Sequence, residues 1–241
     1  MRQLYIEHMP REGELLTLDG DEAHYLGRSL RARPGETFRL AASDGSAAGA
    51  LLEGFNLGQA LLRVGRPDPD PEFPVRCALD LCPPKGDALE EAIEMAVQLG
   101  VGSLRLVRSE RTLAVPDKGA LSPEKIERRL KEAARQCLRA RLPLLEAPLP
   151  LEQALRAAPE PLRLIMSERG GAPLRSFSPA GPLRVLVGPE GGFSAAELQS
   201  ASAAGWRAVS LGPRPLKTAT AVAAALGGLN ALAAPLPSED A

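Results

Sequence analysis

The pattern of apolar and polar positions along the chain changes near residue 75. Before that point the apolar runs are short, as at 37–40 and 60–64, and glycine and aspartate separate them, which predicts β-strands joined by tight turns. Residues 66–74 alternate four prolines with acidic residues, so they can continue neither a helix nor a central strand. We predict a stiff linker there, between a first domain at 1–70 and a second at 75–241.

Beyond the linker, apolar runs alternate with helix signals. The runs, each short enough for a buried strand, cover 75–81, 104–107, 162–166, 183–187 and 208–211. Strands that alternate with helices are typical of a parallel sheet with helices on its faces. The pattern therefore predicts an α/β fold for the second domain.

The helix boundaries follow from capping residues. The first helix is predicted to begin at Asp87, with Glu90 completing a capping box, and to end at Gly100. Proline at the first helical position predicts a second helix from 122–123. Two more signals lie near the C-terminus and predict a third and a fourth helix: Ser194 with Glu197 as a capping box and a stop at Gly205, and Thr218 as an N-cap.

Two loops rich in glycine and proline follow the strands at 183–187 and 208–211. The first reads Gly-Pro-Glu-Gly-Gly at 188–192, and the second reads Gly-Pro-Arg-Pro at 212–215. Ligands bind at the carboxyl edge of open parallel sheets, so the loops line one crevice if the two strands are neighbours. The glycine spacing matches neither a dinucleotide-binding nor a P-loop motif, and Glu190 would repel a phosphate. The pattern favours a neutral or cationic ligand held by the main chain over plain tight turns.

The charge of the whole chain is nearly balanced, with a net charge of −1 at pH 7, but its distribution is uneven. Residues 104–141 hold eleven basic against five acidic side chains, whereas residues 1–74 hold eight against twelve. A basic segment of this kind is the electrostatic footprint of a phosphate-bearing partner, although a solvated helix face gives the same pattern. The segment makes RNA contact a hypothesis.

Several classes of function are not supported. The three cysteines form no CxxC pair and accompany only two histidines, so we expect neither a metal site nor a disulfide framework. The N-terminal residues lack the apolar core of a secretory signal, and the uncharged stretch at 219–236 is weakly hydrophobic for a membrane span. We expect a cytoplasmic protein without a membrane segment.

The segments LVGPEGGFSAAEL and VSLGPRPLKTATAVAAAL closely resemble the two signature segments of RsmE-type methyltransferases of the SPOUT superfamily. The likeness extends to 84–101, to 109–111, to the Gln136/Arg139/Pro143 segment and, less specifically, to 22–35. It implies a C-terminal trefoil knot, a preceding PUA-like β-barrel, a homodimer and S-adenosylmethionine as the methyl donor. The implied substrate is a uracil, methylated at N3, in 16S ribosomal RNA or the small ribosomal subunit.

The resemblance also assigns residues to roles. The cofactor-binding set would be Val187, Gly188, Pro189, Glu190, Gly191, Leu211, Gly212, Pro215, Leu216, Thr218, Thr220 and Ala221. Glu190 could instead cap the helix that begins at Ser194. RNA contacts are expected from Arg28, Arg31, Lys85, Arg111, Arg135 and Arg139.

Arg214 is the candidate catalytic residue, because a guanidinium can stabilise the oxyanion of a deprotonated uracil. A purely structural arginine is the alternative. The second loop departs from the family pattern, since Lys217 replaces an arginine and Ala219 replaces a glutamate. A catalytically impaired or retargeted RNA-binding assembly factor is therefore the alternative function.

Overall fold

The structure, a computed structural model, describes residues 2–69, 72–73, 75–84, 88–112, 122–168 and 170–233. The chain divides into two compact units. The first is Met1–Pro71 together with Ala134–Leu142, and the second is Glu72–Ala133 together with Pro143–Ala241. The return of residues 134–142 to the first unit has no counterpart in the sequence pattern.

The first unit is built on a five-stranded sheet with the order β1-β3-β4-β5-β2. The strands are β1 (Gln3–Ile6), β2 (Leu15–Leu18), β3 (Thr37–Ala42), β4 (Ala47–Asn56) and β5 (Gln59–Pro67). Only β1 and β3 pair in parallel. Helix α1 (Gly20–His24) and a π-helical turn (Tyr25–Ser29) follow β2, and Ala23 and Leu26 belong to the unit's apolar core.

The segment 134–142 is bound to this unit by polar contacts. The side chains of Gln3 and Tyr5 both donate to the carbonyl of Arg139, at 2.7 and 2.8 Å. The buried guanidinium of Arg39 donates to the carbonyl of Leu138 and to the side chain of Gln3. These bonds satisfy polar groups that would otherwise be buried without partners.

The second unit contains a seven-stranded sheet with the order β10-β12-β9-β11-β6-β7-β8, in which all pairings are parallel. Its strands are β6 (Cys77–Leu81), β7 (Val101–Arg108), β8 (Leu144–Pro150), β9 (Leu162–Met166), β10 (Ala172–Pro173), β11 (Leu183–Val187) and β12 (Arg207–Ser210). Its helices are α2 (Ala88–Gln98), α3 (Pro123–Gln136, which runs into the first unit), α4 (Leu151–Ala157), α5 (Ala195–Ala203) and α6 (Thr218–Leu232). The predicted α/β fold with a parallel sheet is confirmed.

Helices cover the sheet on both faces, so that all five residues of β11 are buried, Arg184 among them. Leu155 of α4 and Ala201 of α5 pack into one core cluster with Trp206, whose indole nitrogen donates to the carbonyl of Leu155 at 3.0 Å. On the other side α6 packs against α2 and β11. A Cβ atom at Gly228 of α6 would meet Cδ2 of Leu174, so a larger residue there would require the Leu174 side chain to move.

The sequence analysis did not predict every element of this unit. Strand β8 and helix α4 were not predicted, because Pro148 and Pro150 break the apolar pattern; as the last strand of the sheet, β8 tolerates proline. The predicted cap Asp87 lies outside the described residues, as does Lys85. Gly100, with φ at +80°, follows the end of α2 as expected. None of the helices in the described part of the chain is both long enough and apolar enough to span a bilayer.

Candidate functional site

The two glycine-rich loops meet at the carboxyl edge of the seven-stranded sheet, although their strands are not neighbours. Strand β9 lies between β11 and β12 and pairs with both. The sequence analysis expected the loops to share a crevice if β11 and β12 were neighbours, and these two strands are not neighbours. The loops still converge, and the residues that follow β9 lie between them.

One pocket joins these three segments. The pocket is open to solvent, and about 520 Å³ of space not filled by protein atoms lies within its walls and at its mouth. Its lining residues are Met166, Ser167, Glu168, Val187, Gly188, Pro189, Gly192, Phe193, Leu211, Gly212, Arg214, Leu216, Thr218 and Ala221. Four residues of the predicted cofactor set do not line it: Glu190, Gly191, Pro215 and Thr220.

Gly188 serves internal packing in the first loop. A Cβ atom at this position would lie 2.8 Å from the ring of Phe193, which is itself buried and lines the pocket. The amide of Gly192, at φ +63°, donates to the carbonyl of Pro189 at 2.8 Å and closes the turn. The glycine at 188 therefore leaves room for the ring of Phe193 in the pocket wall, and Gly188 itself lines the pocket; that its backbone contacts a ligand stays a prediction.

The capping box at the start of α5 is confirmed. The hydroxyl of Ser194 accepts from the amide of Glu197, and the Glu197 carboxylate accepts from the amide of Ser194 at 2.8 Å. The same carboxylate accepts from the amide of Glu110 at 2.7 Å. Glu190 is exposed and makes no hydrogen bond within the described part of the chain, so the suggestion that it caps this helix was wrong.

The second loop leads directly into helix α6. Gly212 has φ at +139°, a conformation that disfavours other residues, and a Cβ atom there would meet nothing within 4 Å. The predicted cap Thr218 was wrong by one position, because Lys217 is the N-cap and Thr218 is the first helical residue. The Thr218 hydroxyl is buried and has no hydrogen-bond partner among the described residues. A buried hydroxyl at a pocket wall is suited to bind a ligand, since leaving it without a partner costs free energy.

Arg214 lies on the same loop, exposed at the pocket. Within the described residues its guanidinium makes no ion pair or hydrogen bond, so its five donors are available to a ligand. The alternative of a structural arginine would require such a partner.

The predicted RNA-contact residues fall into two groups. Arg28 and Arg31 are exposed on the first unit. In the second unit, the guanidinium of Arg111 donates to the carbonyl of Gly191 at 2.6 Å, and this contact joins the residues after β7 to the first loop.

The other two arginines are held within the first unit. Arg135 forms an ion pair with Glu22 and lies over the ring of Tyr25, 4.5 Å from its centroid. Arg139 is 7% exposed.

Sequence reasoning missed five of the lining residues: Met166, Ser167, Glu168, Gly192 and Phe193. The signal was present, because Ser-Glu-Arg-Gly-Gly at 167–171 follows an apolar strand as the two recognised loops do. It was not used because the strand order could not be derived from the sequence.

Buried charges lie on the sheet away from the pocket. Asp80 accepts from both Arg105 and Arg184, and Arg184 also donates to Glu146 and Glu160. Burial raises the pKa of Asp80, and the bonds from the arginines offset only part of this. Burial would also raise the pKa of Glu146, but hydrogen bonds from Arg184 and Ser103 outweigh it and hold the pKa below its ordinary value.

No group of three or more potential metal ligands occurs among the residues that the structure describes. The thiols of Cys77 and Cys82 are buried, and burial raises the pKa of Cys82 to about 12, so that it stays protonated.

Comparison with known proteins supplies the family. A model of the RNA methyltransferase domain matches residues 71–230. The ribosomal RNA small subunit methyltransferase E of Synechocystis is 35% identical over 90% of this chain and 73% of its own length. Its namesake in Mycobacterium tuberculosis is 32% identical over 95% of this chain and 90% of its own.

A crystal structure of the enzyme of the same name from Neisseria gonorrhoeae, bound to S-adenosyl methionine, has a TM-score of 0.89 at 29% identity. The likeness covers 96% of this chain and 98% of that one. A methyltransferase from Legionella pneumophila, in complex with the same cofactor, has a TM-score of 0.87 at 29% identity over 97% of this chain and 98% of its own. With a pocket at the carboxyl edge of a parallel sheet and a family match across most of the chain, this protein belongs to the RNA methyltransferase family.

Proposed function

We propose that this protein transfers the methyl group of S-adenosylmethionine to N3 of a uracil in 16S ribosomal RNA of the small subunit. The observation that carries the proposal is the pocket between three sheet-edge loops, in a chain whose relatives at 32–35% identity are named for methylation of small-subunit ribosomal RNA. Two structures similar over nearly the whole chain are described with that cofactor bound.

The residues at the pocket suit this cofactor. Apolar side chains such as Leu211, Leu216 and Phe193 offer a surface for an adenine ring, and the Thr218 hydroxyl supplies an unused hydrogen-bonding group. When bound, the cofactor supplies an electrophilic methyl group on a sulfonium. The chain's task is to align the uracil with it and to exclude water.

Arg214 is proposed as the catalytic residue. Uracil N3 carries a proton at neutral pH. Once this proton has passed to solvent, the uracil anion attacks the methyl group through N3, and until then part of its negative charge lies on the adjacent oxygens. A guanidinium at the pocket mouth stabilises this charge with fixed donors, and Arg214 has no other ion pair in the described residues. Ten of the twelve predicted cofactor residues belong to the proposed site, and Glu190 and Thr220 are left out. Gly191 and Pro215 do not line the pocket, and we assign them a role through the backbone of their loops.

The departures at 217 and 219 lie at the start of α6. Lys217 is the exposed N-cap, and Ala219 is the buried second residue of the helix. The alternative of a catalytically inactive assembly factor is not favoured, because the relatives that cover most of the chain carry the methyltransferase name.

The RNA is proposed to bind through arginines of each unit, of which Arg28 and Arg31 are exposed and Arg111 is half-buried. The target base must leave its stack to present its Watson–Crick edge, so phosphate contacts have to hold the surrounding RNA. Arg28, Arg31 and Arg111 are proposed for this role, with Lys85 outside the described residues. For Arg135 and Arg139 an RNA contact would require giving up interactions within the first unit, so for them it remains a prediction.

The finer features of the fold are proposed on the same basis. They are the trefoil knot around α6, a PUA-like barrel formed by the five-stranded sheet, and a homodimer in the cytoplasm, where ribosomes are modified. Strand β9 separates β12 from β11 in the sheet, and the chain leaves β12 to form α6, which packs against β11. The chain therefore crosses back over β9, and this supports a knot.

Calorimetry with S-adenosylmethionine, together with methyl transfer to small subunits that lack the modification, tests the proposal. Wild-type protein should bind the cofactor and methylate N3 of one uracil. Arg214→Ala should reduce turnover at least about 100-fold, by analogy with the loss of one oxyanion donor, while cofactor affinity changes less than about threefold. Equal losses in both would make Arg214 a binding or structural residue, and absence of cofactor binding by the wild type would refute the proposal.

A further inference from the structure

The pocket contains an acidic side chain for which the methyl-transfer chemistry above has given no role. Resting on the proposed function, we infer that Glu168 makes the pocket selective for the positively charged methyl donor over its neutral demethylated product. Glu168 thereby acts as a specificity-determining residue.

Glu168 is exposed and lines the pocket. It follows β9, the strand between the two strands whose loops form the other walls. Its Oε2 atom is 3.8 Å from the position that a Cβ atom of Gly192 would take, so the carboxylate faces the first loop. Among the described residues that line the pocket, Glu168 is the only acid and Arg214 the only base.

The carboxylate is not neutralised by the protein in the described part of the chain. No hydrogen bond or ion pair joins Glu168 to another described residue, in contrast to Glu197, whose carboxylate accepts two backbone hydrogen bonds, from Glu110 and from Ser194 of the helix cap. A charge that is not used by the fold at a ligand pocket is available to a ligand of opposite sign. The sequence reasoning sought this charge at Glu190, which lies outside the pocket lining.

The reacting group accounts for such a charge. The sulfonium of the donor is positive, whereas the thioether that remains after methyl transfer is neutral. The ribose and the amino acid portion are the same in both molecules. A carboxylate near the sulfur therefore attracts the donor and loses this attraction once the methyl group has left, which favours exchange of product for fresh donor.

A carboxylate could also bind the ribose hydroxyls or the ammonium group, and this gives a different signature. Either contact would strengthen the binding of donor and product equally. The ratio of the two dissociation constants therefore separates a contact at the sulfonium from a contact elsewhere.

The test measures dissociation constants by calorimetry for three ligands: S-adenosylmethionine, S-adenosylhomocysteine, and sinefungin, whose amine places a positive charge near the position of the sulfonium. Glu168→Gln keeps the size of the side chain and removes its charge. Glu190→Gln is the matched control, since it removes an exposed carboxylate from the neighbouring loop outside the pocket lining.

We expect Glu168→Gln to weaken binding of the two cationic ligands about fivefold, the size of one solvent-screened charge pair, and to leave the neutral product unchanged. Glu168→Asp should retain part of the selectivity, and Glu190→Gln all of it. An equal loss for all three ligands, or no loss, would overturn the inference. Failure of the wild type to bind any of them would refute the proposed function instead.

Discussion

Gly188→Ala is expected to disturb the pocket through Phe193, whose ring the added methyl group would meet. The new Cβ atom would lie 2.8, 3.1 and 3.2 Å from three atoms of the Phe193 ring. Contacts below 3.0 Å do not persist, so the ring has to move. The ring is 5% exposed and belongs to a core cluster with Leu186 and Trp206, so this displacement meets resistance.

The cost should be that of overpacking a core by one methyl group, about 1–3 kcal/mol of the free energy of unfolding. For a chain of this size each kcal/mol lowers the melting temperature by roughly 2–4 °C. Since Phe193 also lines the pocket, cofactor affinity should fall together with stability.

Thermal unfolding and cofactor calorimetry on Gly188→Ala, Phe193→Leu and the double variant form the decisive set. Phe193→Leu alone removes buried ring atoms and should destabilise the protein, but it also clears space for the methyl group. The double variant should therefore lose at least about 1 kcal/mol less than the sum of the single variants. Strict additivity would show that the ring is not what the methyl group meets, and an undisturbed Gly188→Ala would refute the packing argument altogether.

Two further variants address the pocket hydroxyl and the buried charges. Thr218→Val removes a buried hydroxyl without a partner in the described residues, so the protein should keep or gain stability while cofactor affinity falls about 2- to 10-fold; a loss of stability without a change in affinity would mean that the hydroxyl serves the fold. Glu146→Gln should destabilise the protein at pH 7 because the depressed pKa of this carboxyl stabilises the folded state above the unfolded value of 4.5. That contribution is lost as the pH falls through the lower folded pKa, so urea midpoints of variant and wild type should converge as the pH falls below 4.5, and a gap that stays constant with pH would exclude this linkage.

The sequence predicted those parts of the fold in which local signals agree with tertiary structure. The runs at 162–166 and 183–187 became β9 and β11 with the expected bounds, because a strand covered on both faces is mostly apolar; Arg163 and Arg184 are the exceptions. Ser194 and Glu197 marked a helix start because their bonds are local. Strand β8 was not predicted. It lies at the edge of the sheet, where a strand can contain proline and so lacks the continuous apolar pattern that identifies a central strand.

The site was less predictable because it depends on contacts distant along the chain. The two loops were recognised from their glycines, but the insertion of β9 between β11 and β12 is a property of the topology, and with it came Glu168. The reason for glycine at 188 also depends on side-chain packing, because a Cβ atom there would meet the ring of Phe193. The sequence indicates that a glycine stands at this position, but only the structure shows that the Phe193 ring fills the space beside it.

The membership of residues 134–142 in the first unit limits how the gene can be dissected. A fragment that stops at residue 71 would lack the carbonyls of Leu138 and Arg139, on which Arg39, Gln3 and Tyr5 depend. A fragment that starts at residue 72 would carry those nine residues without their sheet. Neither fragment contains a complete unit. A chimaera of two relatives should therefore take residues 1–71 and 134–142 from the same parent.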